Sequence, residues 1–161
     1  GQYGGAAFLI PYLLFTFLFR VVGVEGDSMM DTLYGGDRLI LCPALSSPDR
    51  GDIVVINRYT DEPLVKRVIG VAGDTLEIDE ELHRVRLNGE LLDEPYVQYP
   101  TPAYDMTGEV AVPEGYVFVM GDHRNDSHDS RHQAFARTAS KHHRKKSRRC
   151  RIANAFLPES V

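Results

Sequence analysis

The N-terminal segment limits most strongly what this chain can fold into, because its first 19 residues carry no charged side chain. Residues 6–19 are almost wholly apolar, and after Arg20 the apolar run continues to Val24. A helix that crosses a bilayer needs about 20 apolar residues. We therefore interpret residues 1–24 as a membrane anchor, a hydrophobic transmembrane helix that we expect to be truncated at its N-terminus. A buried core helix, a secretory signal segment and an interfacial helix are the alternatives.

Short apolar runs rich in β-branched residues follow this segment, and Gly, Pro and Asp bound them, as is typical of β-strands. Within residues 84–92, the pair Asn88-Gly89 predicts a tight hairpin turn, because both residues tolerate a positive φ. Residues 95–113 are rich in Pro and Tyr and are interpreted as an irregular excursion. We predict a mainly β fold without a long helix after residue 24, and with further strands at Asp37–Cys42, Gly51–Arg58, Leu64–Val71 and Tyr116–Met120.

The net charge of −5 conceals two parts of opposite sign. Residues 1–131 carry a formal charge of −12, whereas residues 132–161 carry +7 and include the basic run KHHRKKSRRCR. One interpretation is a non-enzymatic protein that binds a membrane or a nucleic acid through this basic tail. The acidity of the rest of the chain weakens that alternative.

Two side chains stand out as candidates for chemistry. Ser28 lies in a Gly-Asp-Ser-Met-Met sequence directly after the hydrophobic segment, although a serine beside a glycine usually marks only a turn. Lys66 shares one face of its predicted strand with Leu64 and Val68, so that its amine can be desolvated. Burial disfavours the ammonium ion and lowers its pKa, which suits a general base. The alternative is an edge-strand lysine whose amine reaches water.

A polar loop, GDHRNDSHDSR, covers residues 121–131 and reads either as an Asx-rich turn or as a scaffold for a site. Its two histidines, His123 and His128, lie among charged residues in a single loop, which does not fix the geometry of a metal site. Cys42 and Cys150 are too few to complete a zinc site by themselves. We predict no metal and no cofactor.

Five motifs in order carry a resemblance: an apolar segment, GDSMMDTL, GDIVV, VKRVIGVAGD and VPEGYVFVMGDHRNDSHDSR. Together they resemble the type I signal peptidase family over residues 6–131. The resemblance implies a membrane-anchored serine endopeptidase with a Ser/Lys dyad and an antiparallel-sheet catalytic domain, here residues 25–131. It also implies cleavage of signal peptides from exported preproteins after small residues.

The resemblance assigns roles to individual residues. Ser28 matches the nucleophile and Lys66 the general base, and the backbone N–H of Ser28 matches an oxyanion donor. Gly26 stands where some members of the family carry a second, hydroxyl donor. The resemblance also assigns supporting roles. Ser127 matches a serine that directs the lysine amine, and Asp129 with Arg131 matches an ion pair beside the site. Arg67 matches the basic residue that follows the lysine.

The resemblance also implies a place and partners. We expect a monomer in the bacterial plasma (inner) membrane, with the catalytic domain on the extracytoplasmic side. Its partners are the signal peptides of preproteins and the lipid bilayer, and no nucleic acid. A self-cleaving repressor-type Ser/Lys protease is a further alternative, but it predicts a DNA-binding domain where this chain is apolar.

Two features depart from the family. Asp31 stands where the family usually has proline, within the nucleophile motif. Residues 132–161 replace the aromatic turn and the strand that would close the sheet. We interpret this tail as the product of a frameshift, with a functional basic tail or divergence as alternatives. The coding DNA tests this, because the shifted frame must encode the missing strand.

Overall fold

The computed structural model describes residues 8–9, 12, 20–41, 48–56, 63–132 and 135. Every strand pairing among these residues is antiparallel, as the sequence predicts. The strands are β1 (Arg20–Gly23), β2 (Arg38–Leu41), β3 (Ile53–Ile56), β4 (Leu64–Val71), β5 (Thr75–Asp79), β6 (Arg84–Leu87), β7 (Glu90–Leu91), β8 (Val110–Ala111) and β9 (Val117–Met120).

These strands form three sheets. The first is the ribbon β1-β2, the second has the order β3-β4-β9, and the third has the order β7-β6-β5-β8. One cluster of buried apolar side chains joins the third sheet to β4 and β9, for example through Leu76, Ile69 and Phe118. A separate cluster joins the segment that follows β1 to the second sheet. The central strand of that second sheet is β4, which places its side chains deep in the molecule.

The predicted strands are present, with shorter bounds for three of them. β4 spans the predicted range, whereas β2, β3 and β9 lie inside theirs. The predicted hairpin turn is confirmed, because Asn88 and Gly89 have φ angles of 53° and 84° between β6 and β7.

Three strands were not predicted. β1 falls inside the segment assigned to the anchor, where a short apolar run does not distinguish strand from helix. β8 falls inside the excursion predicted to be irregular and is only two residues long. β5 alternates buried and half-buried residues, so its period of two was the signal that identifies it.

The predicted anchor and tail lie largely outside the described residues. Where the structure does describe the chain, it contains no helix long and apolar enough to cross a membrane. The tail is described only at His132 and Phe135, and Cys42 and Cys150 are outside the described residues. The domain boundaries at residues 24 and 131 therefore stay predictions.

The loop after β9 turns back along the outer edge of that strand. Val119 donates its N–H to Ser130 Oγ at 3.0 Å, and its carbonyl accepts the Ser130 N–H at 3.1 Å. Ser130 is fully buried there. The polar loop is thus bonded to the same sheet that carries Lys66.

Candidate active site

Ser28 and Lys66 meet in the structure. Lys66 lies on β4 opposite Val54 of β3 and is only 1% exposed, which fits a desolvated amine and not an edge-strand lysine that reaches water. Its Nζ donates a hydrogen bond to Ser28 Oγ at 2.5 Å. Ser28 itself is half-buried, in the turn between β1 and β2. A half-buried serine therefore contacts a lysine that is almost fully buried.

Apolar packing beside these two residues brings them together. Met29, next to Ser28, is 2% exposed and belongs to the same cluster as Val65, next to Lys66. Val24 and Val55 complete this cluster. The turn is closed by hydrogen bonds from the backbone, including Met30 N–H to the Asp27 carbonyl at 3.0 Å. The position of the hydroxyl thus depends on a buried methionine and not on chain proximity.

The polar loop packs directly against the Ser28 backbone. The His123 N–H donates to the Ser28 carbonyl at 3.1 Å. Gly121 lies so close that a Cβ there would overlap both the Ser28 carbonyl oxygen and Ser127 Oγ. The glycine is required at this position because it lets the loop, and Ser127 with it, approach the turn that carries Ser28.

Ser127 is buried in this loop, and its hydroxyl donates to Asp129 Oδ2 at 2.7 Å. The Gly121 N–H donates both to Ser127 Oγ, at 3.1 Å, and to Asp129 Oδ2, at 3.0 Å. The hydroxyl hydrogen of Ser127 is therefore used in its bond to the carboxylate, and the serine oxygen keeps a further lone pair as an acceptor. A contact between Ser127 and the amine of Lys66 stays a prediction.

Asp129 and Arg131 form an ion pair in which neither side chain is exposed. Two guanidinium nitrogens of Arg131 bind the two carboxylate oxygens, at 2.9 and 2.8 Å. Burial alone would raise the pKa of Asp129, but the hydrogen bonds and charge of Arg131, with those from Ser127 and Gly121, lower it below its usual value. Asp129 is therefore an anion at neutral pH, although it is buried.

Arg67 points away from Lys66 and binds Asp122. Its Nε and Nη2 donate to the two Asp122 oxygens at 2.8 and 2.6 Å, and its guanidinium lies 4.1 Å from the centre of the Tyr96 ring. The hydrogen bonds with Asp122 raise the pKa of Arg67 despite its partial burial. Thr32, four residues after Ser28, donates to the same carboxylate at 2.6 Å. Asp122 thus connects β4, the serine turn and the polar loop.

Several residues of the site were not singled out by the sequence. Asp122, Gly121 and Thr32 are examples, and Arg124 is a fourth. Arg124 is fully buried and donates to the Gly121 carbonyl at 3.0 Å and to both carboxylate oxygens of Glu94. The signal available was the density of charged residues directly after an apolar strand.

The turn that carries Ser28 contains two positions noted in the sequence, Asp31 and Gly26. Asp31 is exposed, and its carboxylate accepts a hydrogen bond from the Tyr34 hydroxyl at 3.4 Å. Gly26 has a φ of 76°, a conformation that favours glycine, and it brings no hydroxyl to the site. Among the described residues, no three His, Cys, Asp or Glu side chains are grouped as a metal site requires.

A serine hydroxyl is a weak nucleophile that needs a base within hydrogen-bond reach. Here an amine from a buried position makes that contact, an arrangement that supports acyl transfer when the amine is neutral. Burial removes the water that stabilises an ammonium ion, so it favours the neutral form. The chemistry available is that of a hydrolase acting through a covalent serine intermediate.

Comparison with known proteins agrees with this chemistry. A sequence model of the family described as "Signal peptidase, peptidase S26" matches residues 3–147, a range that extends past Arg131. Signal peptidase I S of Bacillus subtilis is 37% identical over 137 residues, which cover 78% of this chain and 73% of that protein. Signal peptidase I of Bacillus caldolyticus is 38% identical over 136 residues, 75% of this chain and 74% of that protein.

A third relative, probable signal peptidase I-2 of Synechocystis, is 37% identical over 130 residues, 74% of this chain and 58% of that protein. The crystal structure of a signal peptidase I from Enterococcus faecalis is 29% identical and covers 55% of this chain and 88% of that chain, with a TM-score of 0.43. The chain belongs to the signal peptidase family of peptidase S26. It is a serine endopeptidase of the signal peptidase I type.

Proposed function

We propose that this chain cleaves signal peptides from exported preproteins after small residues, with Ser28 as the nucleophile and Lys66 as the general base. The observation that carries the proposal is the 2.5 Å hydrogen bond between Ser28 Oγ and a lysine amine that is almost fully buried. The similarity to signal peptidases of several bacteria supports the choice of substrate.

The proposed reaction has two stages. Neutral Lys66 takes the proton of the Ser28 hydroxyl as the oxygen attacks the scissile carbonyl, and the Ser28 N–H stabilises the resulting oxyanion. Lys66 then gives the proton to the leaving amine, and an acyl-enzyme remains. In the second stage Lys66 takes a proton from water as the water oxygen attacks the ester carbonyl. When the tetrahedral intermediate collapses, Lys66 returns this proton to Ser28 Oγ, and the peptide leaves with a free carboxyl group.

The supporting residues hold this pair in place. We propose that the remaining lone pair of Ser127 Oγ directs the Lys66 amine, because the Ser127 hydroxyl already donates its hydrogen bond to Asp129. Arg131 keeps Asp129 charged, and Arg67 fixes Asp122 within the loop that touches Ser28. No cofactor takes part in these steps.

We further propose that the apolar residues before β1 anchor the enzyme in the bacterial plasma (inner) membrane, with the catalytic domain on the extracytoplasmic side. Residues 20–24 of the predicted anchor do not take part, because Arg20–Gly23 pair with β2 and Val24 packs against the second sheet. Ser28 lies only a short distance along the chain after the apolar segment, so that an anchor there would hold the site near the lipid surface. An anchored enzyme meets a membrane-bound preprotein at a raised effective concentration. We propose that the protein acts there as a monomer. Membrane fractionation of cells and accessibility of the protein to added protease test this location.

The test of the activity uses the full chain in lipid vesicles with a preprotein substrate, and its product is followed by gel and mass spectrometry. Ser28→Ala and Lys66→Met are each expected to lower cleavage by at least about a thousandfold, because nucleophile and base act as one unit. Thr107→Ala, at an exposed hydroxyl in the excursion, is the control and is expected to cleave normally. Cleavage that survives in either site variant, or no cleavage by the unaltered chain, would contradict the proposal.

A further inference from the structure

His123 contacts both peptide units that flank Ser28. Its ring nitrogen Nδ1 lies 3.2 Å from the carbonyl oxygen of Asp27, and its backbone N–H donates to the carbonyl oxygen of Ser28 at 3.1 Å. A carbonyl oxygen only accepts hydrogen bonds, so Nδ1 carries the proton in this contact. One residue of the polar loop therefore holds the backbone on either side of the nucleophile.

The contact with Asp27 has a geometric consequence for Ser28. The Asp27 carbonyl and the Ser28 N–H belong to one planar peptide unit and point in opposite directions. Any donor that fixes the direction of this carbonyl also fixes the direction of the Ser28 N–H. The Met30 N–H donates a second hydrogen bond to the Asp27 carbonyl oxygen, at 3.0 Å, so both lone pairs of that oxygen are occupied.

The imidazole is itself held in place. The ring of Tyr99 stacks on it with centroids 4.4 Å apart and an angle of 28° between the planes. The His123 carbonyl accepts the Asp126 N–H at 3.0 Å, which closes the turn that follows. Stacking on Tyr99 therefore holds the imidazole ring, and the turn of the polar loop holds the His123 backbone.

We propose that His123 is a positioning residue that aims the Ser28 N–H at the oxyanion formed during catalysis. The inference deepens the proposed function and rests on it, because the N–H matters only if Ser28 is the nucleophile. Oxyanion donors are effective because they are oriented before the reaction begins. The imidazole acts through the peptide unit and does not touch the substrate.

The test separates hydrogen bonding from packing. His123→Asn keeps a donor near the position of Nδ1. His123→Leu introduces a side chain of about the same shape as asparagine but without a donor. His123→Phe keeps the ring on Tyr99 and also has no donor. His128→Phe is the matched control, at a histidine whose ring stacks on His132, away from the Asp27 carbonyl.

We expect His123→Leu and His123→Phe to lower kcat by about 10- to 100-fold with KM unchanged, because a misdirected donor weakens only the transition state. His123→Asn should recover most of the kcat lost in His123→Leu, and His128→Phe should match the parent protein. The rate of acylation in a single turnover should follow kcat. Thermal unfolding of each variant checks that the fold is retained.

Equal kcat in the asparagine and leucine variants would overturn the proposal, as would a loss confined to KM. Failure of the proposed function looks different, because Ser28→Ala would then still cleave preprotein. If Ser28→Ala is inactive while the leucine and phenylalanine variants keep the parental kcat, only the role of His123 is wrong. If one of these two variants fails to fold, the other gives the comparison with His123→Asn.

Discussion

Gly121 packs against Ser28 so closely that any side chain at position 121 would overlap the Ser28 carbonyl oxygen. The same side chain would overlap Ser127 Oγ on its other side. The turn that carries Ser28 and the polar loop are therefore in contact through backbone atoms, which cannot rotate aside as a flexible side chain can. The consequence is that loop and turn must move together.

Gly121→Ala is accordingly expected to destabilise the protein by about 3 kcal/mol, the upper part of the range for overpacking a buried site. Urea unfolding gives this free energy, and preprotein cleavage by the folded fraction should fall as well. Gly23→Ala is the control, because the structure leaves open space around that position on β1. An alanine at 121 with parental stability and activity would contradict the close contact.

Asp129→Asn is expected to cost about 3–5 kcal/mol at neutral pH, because it leaves the buried Arg131 without its counter-charge. The substitution preserves the shape of the side chain, so the loss reports charge and hydrogen bonding. Asp126→Asn, at an exposed carboxylate of the same loop, is the control and is expected to be nearly neutral. Chemical unfolding of the three proteins at pH 7 decides between these outcomes.

Asp129 also predicts how stability depends on pH. Its folded pKa lies below the ordinary value of 3.8, so in acid the unfolded chain binds a proton more readily than the folded protein. The contribution of this carboxylate is complete above about pH 5 and is lost as the pH falls below 3.8 through the folded pKa. Between pH 5 and 2, the free energy of unfolding should therefore fall less steeply in Asp129→Asn than in the parent. If the free energy of unfolding falls equally steeply with pH in Asp129→Asn and in the parent, Asp129 does not cause the loss of stability in acid.

Arg67→Lys is expected to lower stability by about 1–3 kcal/mol, because an ammonium group cannot bind both Asp122 oxygens as the guanidinium does. Asp122 is fully buried, so its freed oxygen has no water to replace the lost bond. Arg86→Lys is the control on β6, where two guanidinium nitrogens bind a single Asp79 oxygen and the pair lies nearer the solvent. Thermal unfolding should show a smaller loss in the control, and equal losses would argue against a role for burial.

Asn88 tests the turn between β6 and β7. Its side chain accepts the Thr75 N–H at 2.9 Å and donates to Asp74 at 3.1 Å, while its backbone has a positive φ. Asn88→Ala loses both bonds and keeps the unfavourable backbone, so we expect a loss of about 2 kcal/mol in urea unfolding. Asn88→Gly relieves the backbone and loses only the bonds, and its cost should be the smaller. The reverse order would mean that the backbone conformation contributes little.

The sequence predicted the strands that carry the site more completely than the contacts within it. Leu64–Val71 was identified from local periodicity alone, whereas the same pattern left open whether the Lys66 amine is buried or reaches water. That Lys66 meets Ser28 depends on packing between Met29 and Val65, which are far apart in the chain. Local patterns do not report such contacts, and here the family resemblance supplied the pairing.

The polar loop shows the same limit at closer range. Asp122 and Asp126 look equivalent in the sequence, yet one is fully buried and the other is exposed. The difference arises because Arg67 reaches only the first of them from the neighbouring strand. His123 was considered in the sequence as a metal ligand, whereas its ring contacts a backbone carbonyl on another segment, for which no residue pattern exists.

Ser130 has a consequence for the behaviour of the protein in a crowded solution. Exposed outer strands can recruit strands of other molecules through their free N–H and carbonyl groups, which leads to aggregation. At Val119 both groups are already satisfied by Ser130, with its side chain imitating the acceptor of a neighbouring strand. An intermolecular strand must first displace this serine, so the polar loop blocks strand addition at this point of the described edge.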